Sequence, residues 1–487
     1  MITYKNFING KWVKSSSGKT FESANPATNK KIGLFQLGNE RDVNSAVGAA
    51  DNAFGKWRDL PAPKRGEILL RAAQLLRKEK ERLSQLVTKE MGKIISESRG
   101  DVQEAIDVAE YMAGEGRRLF GHTTKSELRD KFAMTIKRPI GVCGIISPWN
   151  FPIAIPAWKI MPALVCGNTV VFKPASDTPL CAIEFVKILI KAGVPAGVVN
   201  LVTGPGSSVG MFIVKNKKTK AVSFTGSKQT GELIVKEAGI KRIGLELGGK
   251  NGIIVMDDAD LNLAVDGVLW GAFGTTGQRC TATSRVLVHK KVKKKFERKL
   301  LQCTKKLVLG NGLLPKTDVG PLINMSAVEK THMYVDIGKF CGAKLLCGGE
   351  PAGKNGFFYK PTIFTNVTPD MRIAQEEIFG PVLSIIEIKN IDEAIDVMNG
   401  IEYGLSSAIY TENMKNAFEA INKIDSGLTY VNSSTIGSEV HLPFGGVKGT
   451  GNTREAGIEG INEFTETKTV YFDYSGRLQK AQIDVVK

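Results

Sequence analysis

The sequence predicts an α/β protein in which a parallel sheet is covered by helices on both faces. Short apolar runs rich in β-branched residues, which are typical of buried strands, alternate with stretches of helical periodicity through the middle of the chain. The predicted strands are 142–146, 169–172, 198–202 and 221–224, and the predicted helices between them include 181–192 and 208–214. Such alternation is typical of α/β folds rather than of bundles or sandwiches.

The flanking regions follow two further patterns. The N-terminal third is predicted to be helical, over 41–55, 63–92 and 105–119, because its apolar residues recur at helical spacing. A second region of alternating elements begins after Glu246, with strands at 286–289, 363–364 and 382–388 and a helix at 391–399. The stretch 466–476 alternates like a strand that could pair with another subunit. A chain of 487 residues suggests two or three domains.

Composition narrows the function classes. The net charge is +17, but the basic runs 215–220 and 290–299 are interpreted as solvated helix faces, with a nucleic-acid or other anion patch as the less favoured alternative. No apolar run is long enough to predict a membrane span, and the N-terminus lacks a signal core, so we expect a cytoplasmic protein. Seven cysteines without a CxxC pair and four histidines without an HExxH pattern favour neither disulfides nor a metal site.

Three segments carry candidate catalytic groups. The segment GVCGIISPWNFP, 141–152, predicts a rigid, exposed loop at a strand end, where Asn150 could donate to an oxyanion; a tight turn over a packed aromatic ring is the alternative. In LELGGKN, Glu246 lies between leucines, an apolar setting that raises the pKa of a carboxyl and suits a general base. In GQRCTAT, Arg279 beside Cys280 favours a thiolate, although most cysteines are core residues.

Three further segments suggest a nucleotide site. Lys173 follows a buried strand, where a cation can bind ribose or phosphate, although such a lysine is more often solvent-exposed. The glycines at 204, 206 and 210 form GxGxxxG, one residue longer than the dinucleotide fingerprint. FTGS is a second strand-to-helix turn with Thr225, Gly226 and Ser227. Ordinary βα turns are the alternative to phosphate binding in both segments.

Taken together, these motifs resemble the aldehyde dehydrogenase superfamily. PWNFP, FTGS, LELGGKN, GQRC, EEIFGPV and LPFGGVKGTG occur in the family's order along nearly the whole chain. The stretches NFPIAIPAWKI and SELRDKF and the ending YFDYSGRLQKAQID are most similar to the α-ketoglutarate semialdehyde dehydrogenase branch. One departure is Thr450, where the family commonly has Ser; we expect little effect on catalysis.

The resemblance implies a set of catalytic roles. Cys280 is the nucleophile, and Asn150 with the Cys280 backbone N–H forms the oxyanion hole. Glu246 activates the hydrolytic water, and Lys159 supports the site. The expected reaction is oxidation of an aldehyde to a carboxylic acid through a thiohemiacetal and a thioester. CoA-acylating, phosphorylating and non-enzymatic basic-binding functions remain alternatives.

The resemblance also implies binding residues for a nicotinamide cofactor. Those for the adenosine and phosphates are Lys173, Ser176, Gly206 and Ser227; those lining the cleft are Ile146 and Trp149; those at the nicotinamide ribose and ring are Glu377 and Phe379; and further contacts are Gly210, Phe224, Thr225, Gly226 and Leu247. A Glu at position 176 would bond the ribose hydroxyls and repel a 2′-phosphate. Because Ser176 is small and neutral, we expect NADP, with NAD also accepted.

The implied substrate site contains Trp158, Thr281 and Phe444, with Arg279 as the cation for a distal carboxylate. This favours an acidic semialdehyde such as 2,5-dioxopentanoate. Succinate semialdehyde, or a broad range of aliphatic and aromatic aldehydes, is the alternative, with Arg279 then stabilising its loop.

The resemblance further implies three structural parts and a homodimer or homotetramer. A doubly wound, Rossmann-like cofactor domain would comprise 1–121 and 140–247, and an α/β catalytic domain 248–468. A small β oligomerisation element would combine 122–139 with 469–487.

Overall fold

A computed structural model describes residues 1–353 and 355–486. Residues 1–36 form short strands: β1 (Thr3–Tyr4), β2 (Asn6–Ile8), β3 (Lys11–Val13), β4 (Thr20–Ala24) and β5 (Lys31–Gln36). Helices follow: α1 (Glu40–Asp59), α2 (Ala62–Lys78), α3 (Lys80–Met91) and α4 (Ile95–Glu115). The helical prediction for the N-terminal third is therefore wrong for its first 36 residues, because these short strands leave few consecutive buried positions for a period-two pattern.

The next region forms the first large sheet. Its elements are β6 (Thr123–Lys125), β7 (Lys131–Pro139), β8 (Val142–Ile146), α5 (Ala154–Cys166), β9 (Thr169–Lys173), α6 (Pro179–Ala192), β10 (Val199–Leu201), α7 (Met211–Lys215), β11 (Thr219–Thr225), α8 (Lys228–Ala238) and β12 (Arg242–Glu246). The strand order is β12-β11-β8-β9-β10-β2-β3. The strands from β12 to β10 are parallel, whereas β2 and β3 pair antiparallel at the edge.

Register aligns the carboxyl ends of these parallel strands. Ile146 pairs with Lys173 on one side and with Phe224 on the other. Thr225 pairs with Glu246 at the end of β12. Side chains that follow successive strands therefore meet at one edge of the sheet, where α/β proteins place their ligands.

The second large sheet follows directly. Its region contains β13 (Asn251–Val255), α9 (Leu261–Phe273), β14 (Thr283–His289), α10 (Lys293–Thr304), α11 (Met325–Phe340), β15 (Lys344–Cys347), β16 (Pro351–Ala352), β17 (Phe358–Tyr359), β18 (Thr362–Thr365), α12 (Arg372–Gln375), β19 (Val382–Ile388), α13 (Ile391–Asn399), β20 (Tyr403–Gly404), β21 (Ser406–Tyr410), α14 (Met414–Lys423), β22 (Leu428–Val431), β23 (Val447–Lys448), α15 (Gly457–Glu463) and β24 (Thr465–Asp473). The strand order is β15-β18-β19-β14-β13-β21-β22, parallel except for β15.

A short segment of the chain connects the two large sheets. Four residues connect the carboxyl end of β12 to the amino end of β13. Asn251, at the start of β13, pairs with Thr283 at the start of β14. The carboxyl edge of the first sheet therefore lies beside the amino edge of the second, and side chains from both can share one site.

A third sheet, β24-β7-β6, projects a long antiparallel pair. Its register runs from Thr465 opposite Pro139 to Asp473 opposite Lys131, so the strand begins four residues before the predicted boundary at 469. Tyr471 and Phe472 are exposed on β24. An exposed aromatic strand of this kind suits burial against another subunit.

The basic run 290–299 lies largely on α10. Lys294, Lys295 and Arg298 are exposed, whereas Phe296 and Leu300 are buried, as in a solvated amphipathic helix. Among the helices of the described residues, none is both long and apolar enough to cross a membrane.

Candidate active site

Cys280 lies in a tightly constrained loop between α9 and β14. Thr275 and Thr276 adopt left-handed backbone conformations, with φ of 50° and 59°. Gln278 fixes the loop, because its side chain accepts from the Ile323 N–H at 2.9 Å. The Asn251 amide donates to the Cys280 carbonyl at 2.7 Å. These bonds hold the backbone beside the thiol before any substrate binds.

The thiol opens into a cavity of about 670 Å³. Eight residues named from the sequence line it: Trp158, Thr225, Glu246, Leu247, Arg279, Cys280, Thr281 and Phe444. Trp158 and Phe444 pack edge to face, with ring centroids 5.0 Å apart. The cavity is large enough for a small aldehyde, and the two rings give part of its wall an apolar surface.

The expectation that Arg279 favours a thiolate at Cys280 is wrong for this state of the protein. Burial, together with the negative charges of Glu246 and Glu377, raises the pKa of the Cys280 thiol to about 12. The Arg279 guanidinium instead lies 3.2 Å from a Glu97 oxygen. At neutral pH the resting group is therefore a thiol, and its proton must leave before the sulfur can attack.

Asn150 is buried, so the prediction of an exposed PWNFP loop is also wrong. Asn150 is 3% exposed. The Asn150 amide nitrogen donates to the Gln278 carbonyl at 3.1 Å, two residues before Cys280. Its amide oxygen has no hydrogen-bond partner among the described residues. The second amide hydrogen remains available to an oxygen bound near the thiol.

Glu246 ends β12 and is 3% exposed. Neither of its carboxyl oxygens has a partner in the described part of the chain. Burial raises the pKa of this carboxyl well above its usual range; Glu455 raises it further, and Lys159 opposes the shift. The predicted raised pKa is confirmed in direction, and a carboxylate with a raised pKa is a stronger base than an ordinary one.

Lys159 lies behind Glu246 and is fully buried. Its ammonium donates to the Ser223 hydroxyl at 3.0 Å and pairs with Glu455. Sequence reasoning missed Glu455, although it belongs to the KGTGNTRE segment. Lys159 therefore contacts other protein groups, and its charge acts on Glu246 from a distance.

Ile146, Lys173, Gly206 and Gly210 gather at the carboxyl edge of the first sheet. A Cβ built on Gly210 would lie 3.7 Å from Ile146 and 3.8 Å from Lys173. Lys173 is 4% exposed, not solvent-facing, and its ammonium has no hydrogen bond to any described residue. Burial lowers the pKa of Lys173 to about 8, which an anionic ligand beside it would reverse.

The other predicted adenosine and phosphate contacts surround this cluster. The Ser176 hydroxyl donates to the Gly204 carbonyl at 3.1 Å. Ser227 caps α8 by accepting from the Thr230 N–H. Gly226 must lack a side chain, because a Cβ there would lie 2.4 Å from the Phe224 ring. Small residues, Ser176, Gly226 and Ser227, therefore lie at the edge of the sheet that carries Lys173, where they leave room for a phosphate.

The predicted nicotinamide residues lie nearer the thiol. Glu377 accepts from the Gly249 N–H at 2.9 Å. Phe379, with φ of 61°, packs edge to face against Trp149 at 5.5 Å. A Cβ on Gly248 would lie 2.6 Å from a Glu377 oxygen, so a larger residue there would displace this carboxylate. The carboxylate is thus held by backbone and is available to a ribose.

The residues between the two sheets fit a dinucleotide cofactor. Buried polar atoms without partners among the described residues gather here; they include Ser147 Oγ, Thr225 Oγ1 and Lys250 Nζ. Buried polar groups are nearly always hydrogen-bonded in folded proteins. A bound ligand rich in oxygen atoms would supply the missing partners.

Arg279 lines the cavity and also bonds to neighbouring side chains. Its Nε donates to the Thr275 hydroxyl at 2.8 Å, and its guanidinium stacks 4.8 Å from the Trp270 ring. Glu97 accepts a second hydrogen bond, from Nη2. Nη1 donates to no residue in the described part of the chain and is the one guanidinium nitrogen left for a ligand.

The chain is similar to known proteins over nearly its whole length. A family model described as the aldehyde dehydrogenase family matches residues 12–470. The alpha-ketoglutaric semialdehyde dehydrogenase of Bacillus subtilis (strain 168) is 44% identical over 477 residues, which are 96% of this chain and 98% of that protein. The 2,5-dioxopentanoate dehydrogenase of Saccharolobus solfataricus is 42% identical over 468 residues, 95% of this chain and 98% of that protein.

Solved structures have the same fold. The betaine aldehyde dehydrogenase of Staphylococcus aureus in complex with NAD+ has a TM-score of 0.96 at 36% identity, covering 98% of this chain and 96% of that one. An NADP dependent enzyme of E. coli has a TM-score of 0.95 at 36% identity, covering 97% and 98%. The α/β fold class predicted from the sequence is confirmed by these neighbours.

Proposed function

Since this chain belongs to the aldehyde dehydrogenase family, as its motifs predicted, and is an oxidoreductase acting on aldehydes, we propose that it oxidises 2,5-dioxopentanoate, the semialdehyde of α-ketoglutarate, to a dicarboxylic acid through a thioester on Cys280. The observation that carries this proposal is the single cavity lined by both Cys280 and Glu246. A nucleophile and a base in one cavity are the two groups that this chemistry requires.

The first half of the reaction belongs to Cys280. Its thiol loses a proton, and the sulfur bonds to the aldehyde carbon, so that the carbonyl oxygen becomes an oxyanion. The free Asn150 amide hydrogen and the Cys280 N–H stabilise that oxyanion. Collapse of the adduct restores the carbonyl and leaves a thioester. A bound nicotinamide would supply the acceptor for the departing hydride.

The second half belongs to Glu246. Its carboxylate removes a proton from water, and the hydroxyl adds to the thioester carbon. The carbon–sulfur bond then breaks, which releases the acid and returns the thiol. Glu455 raises the pKa of Glu246 and Lys159 lowers it, so these two residues set how readily Glu246 takes up the proton.

Two observations support an acidic substrate. The relatives from Bacillus subtilis and Saccharolobus solfataricus are enzymes of α-ketoglutarate semialdehyde, which is 2,5-dioxopentanoate. Arg279 lines the cavity with one guanidinium nitrogen that has no partner within residues 1–353 and 355–486. A carboxylate at the far end of the aldehyde could accept from that nitrogen.

A cationic aldehyde is the second candidate. Carboxyl groups also line the cavity, among them Asp101, Glu104 and Glu439. Negative charge of this kind favours a substrate such as betaine aldehyde, on which the Staphylococcus aureus neighbour acts by its name.

A substrate panel tests the proposed function. Initial rates would be measured for 2,5-dioxopentanoate, succinate semialdehyde, pentanal and betaine aldehyde, each with NAD and with NADP. We expect the highest kcat/KM for 2,5-dioxopentanoate, with acid formed in buffers free of CoA and phosphate. A higher kcat/KM for betaine aldehyde would favour the second candidate, and a requirement for CoA or phosphate would exclude hydrolysis by Glu246.

Replacement of Arg279 tests how the acidic end is recognised. We expect Arg279→Leu to raise KM for 2,5-dioxopentanoate by about 10- to 100-fold, the equivalent of roughly 1.5–3 kcal/mol for one charge-assisted contact. KM for pentanal, which has the same chain length without the carboxylate, should change much less. Steady-state kinetics with both aldehydes gives the comparison.

The control must account for Glu97, which loses its partner in that variant. Its freed charge could repel the substrate by itself, so Arg279→Leu is compared with the double variant Arg279→Leu, Glu97→Gln. A double variant that regains normal KM would assign the effect to repulsion. Equal losses for both aldehydes would mean that Arg279 supports its loop.

Cofactor choice is proposed to favour NADP, with NAD also used. Ser176 is small and neutral, and it lies at the edge that holds the free Lys173 ammonium. We expect Ser176→Glu to shift the ratio of kcat/KM for NADP over NAD toward NAD by about tenfold or more, because a carboxylate repels the 2′-phosphate. Ser176→Gln, equal in size but uncharged, should shift it less. A wild-type protein that strongly prefers NAD would contradict the proposal.

The remaining proposals concern organisation. The cofactor domain is 1–121 with 140–247, the catalytic domain is 248–468, and the oligomerisation element is 122–139 with 469–487. The exposed aromatic side chains of β24 support a homodimer or homotetramer, which light scattering would measure. A cytoplasmic location remains the proposal from the sequence.

A further inference from the structure

One wall of the cavity is the inner face of α4. Its carboxyl residues recur at helical spacing and line the cavity at Glu97, Asp101, Glu104 and Asp107. Residues three and four apart lie on the same side of a helix, so these groups form one row along the wall. A substrate that reaches the thiol passes this row.

Most of this row is already neutralised or hydrogen-bonded. Glu97 pairs with Arg279 and accepts from the Thr275 N–H at 2.7 Å. Asp101 lies 3.1 Å from the Lys93 ammonium and accepts from the Ala154 N–H. Asp107 accepts from the Gln103 amide at 2.7 Å. Each of these carboxylates has a structural partner.

Glu104 differs from the other three. No hydrogen bond or ion pair joins it to any residue within 1–353 and 355–486. It is half-buried, and it stands one turn from Asp101 and one turn from Asp107. A carboxyl without a hydrogen-bonded or ion-paired partner is free to bond a ligand.

We propose that Glu104 determines which charge the site accepts at the far end of the aldehyde. The neutral carboxyl of Glu104 donates a hydrogen bond to an anionic end, whereas its ionised form repels one. This inference rests on the proposed function and names the residue that adjusts its substrate class. Glu104 contacts the part of the substrate remote from the reacting carbon.

Glu104 changes its ionisation state within a pH range in which the enzyme can be assayed. Burial raises the pKa of Glu104 to about 8, and Asp101 and Asp107 also raise it, whereas Lys93 and Arg279 lower it. The other charged groups that face the cavity are Glu97, Glu246, Glu439, His441 and Glu455. Because a raised carboxyl pKa leaves the group neutral below that value, the cavity wall gains a negative charge as the pH rises through about 8.

The experiment measures a ratio, so that titration of the catalytic groups cancels. We compare kcat/KM for 2,5-dioxopentanoate with that for pentanal between about pH 7 and about pH 9. In the wild type the ratio should fall about tenfold, the effect of replacing one hydrogen bond to a charged group by repulsion. In Glu104→Gln, which keeps a donor at every pH, it should stay constant.

Glu110→Gln is the matched control. Glu110 lies on the same helix but pairs with Arg77 at the surface, away from the cavity. This variant should keep the wild-type profile. A wild-type ratio that is independent of pH, or an equal fall in Glu104→Gln, would overturn the proposal.

A failure of the proposed function would look different. In that case 2,5-dioxopentanoate would not be oxidised at any pH, and betaine aldehyde would be compared with its neutral analogue 3,3-dimethylbutanal. The Glu104 proposal then predicts a ratio that rises with pH in the wild type and stays constant in Glu104→Gln. A constant ratio in the wild type would overturn it for this pair as well.

Discussion

Cys280→Ala should abolish aldehyde oxidation while cofactor binding persists. Removal of a nucleophile that forms the covalent intermediate costs roughly 10⁴-fold or more in turnover, because no neighbouring group can take its place. The loop itself should survive, since Gln278 and Asn251 hold it through backbone and amide groups rather than through the thiol. Reduction of NADP or NAD would be followed by absorbance, and cofactor affinity by calorimetry.

Another cysteine provides the control for this result. Cys341 is exposed and does not line the cavity, so Cys341→Ala should keep wild-type activity. Mass spectrometry of protein quenched during turnover should detect the acyl group on Cys280 in the wild type. Substantial oxidation by Cys280→Ala, or an acyl group on a different cysteine, would rule out the assigned nucleophile.

Glu246→Gln should slow release of the acid more than formation of the thioester. Loss of a positioned general base costs on the order of 10²–10⁴-fold, and here the loss falls on attack by water. Because the amide is nearly equal in size to the carboxyl, the cavity should keep its shape. Rapid mixing should then give a burst of reduced cofactor followed by slow steady turnover.

A small nucleophile separates this role from a general defect. Hydroxylamine attacks thioesters without help from a base, and it should release as a hydroxamate the acyl group that accumulates on Glu246→Gln. It is added after the free aldehyde has been removed by desalting, because it would otherwise convert the aldehyde to an oxime; the wild type should retain little acyl group for it to release. If the variant turned over at the wild-type rate, Glu246 would not be the base. If the burst itself were lost, Glu246 would instead act before the thioester forms.

Several features were predictable from local sequence alone. The strands at 142–146 and 382–388 and the helix at 391–399 coincide with the observed bounds, because uninterrupted apolar or amphipathic runs depend on local patterning. Glu246 between leucines correctly predicted the direction of its pKa shift. The motifs containing Cys280 and Glu246 identified the family.

The roles of other residues in the site could not be predicted from the sequence around them. Glu455 raises the pKa of Glu246 although it lies more than 200 positions away in the chain. Asn150 and Asn251 were part of quoted motifs, but their bonds to the nucleophile loop join positions 128 and 29 residues apart in the chain. Glu104 lies on a helix whose sequence resembles any charged surface helix.

The sequence by itself determined the α/β class, the family, and the identity of the nucleophile and base candidates, because those depend on residue types at fixed local spacing. Only the tertiary structure decided the electrostatic state of these groups. Arg279 was expected to activate Cys280, yet it pairs with Glu97 from α4, and burial keeps the cysteine a thiol. Solvation and distant charges set a pKa, and both arise only when elements far apart in the chain pack together.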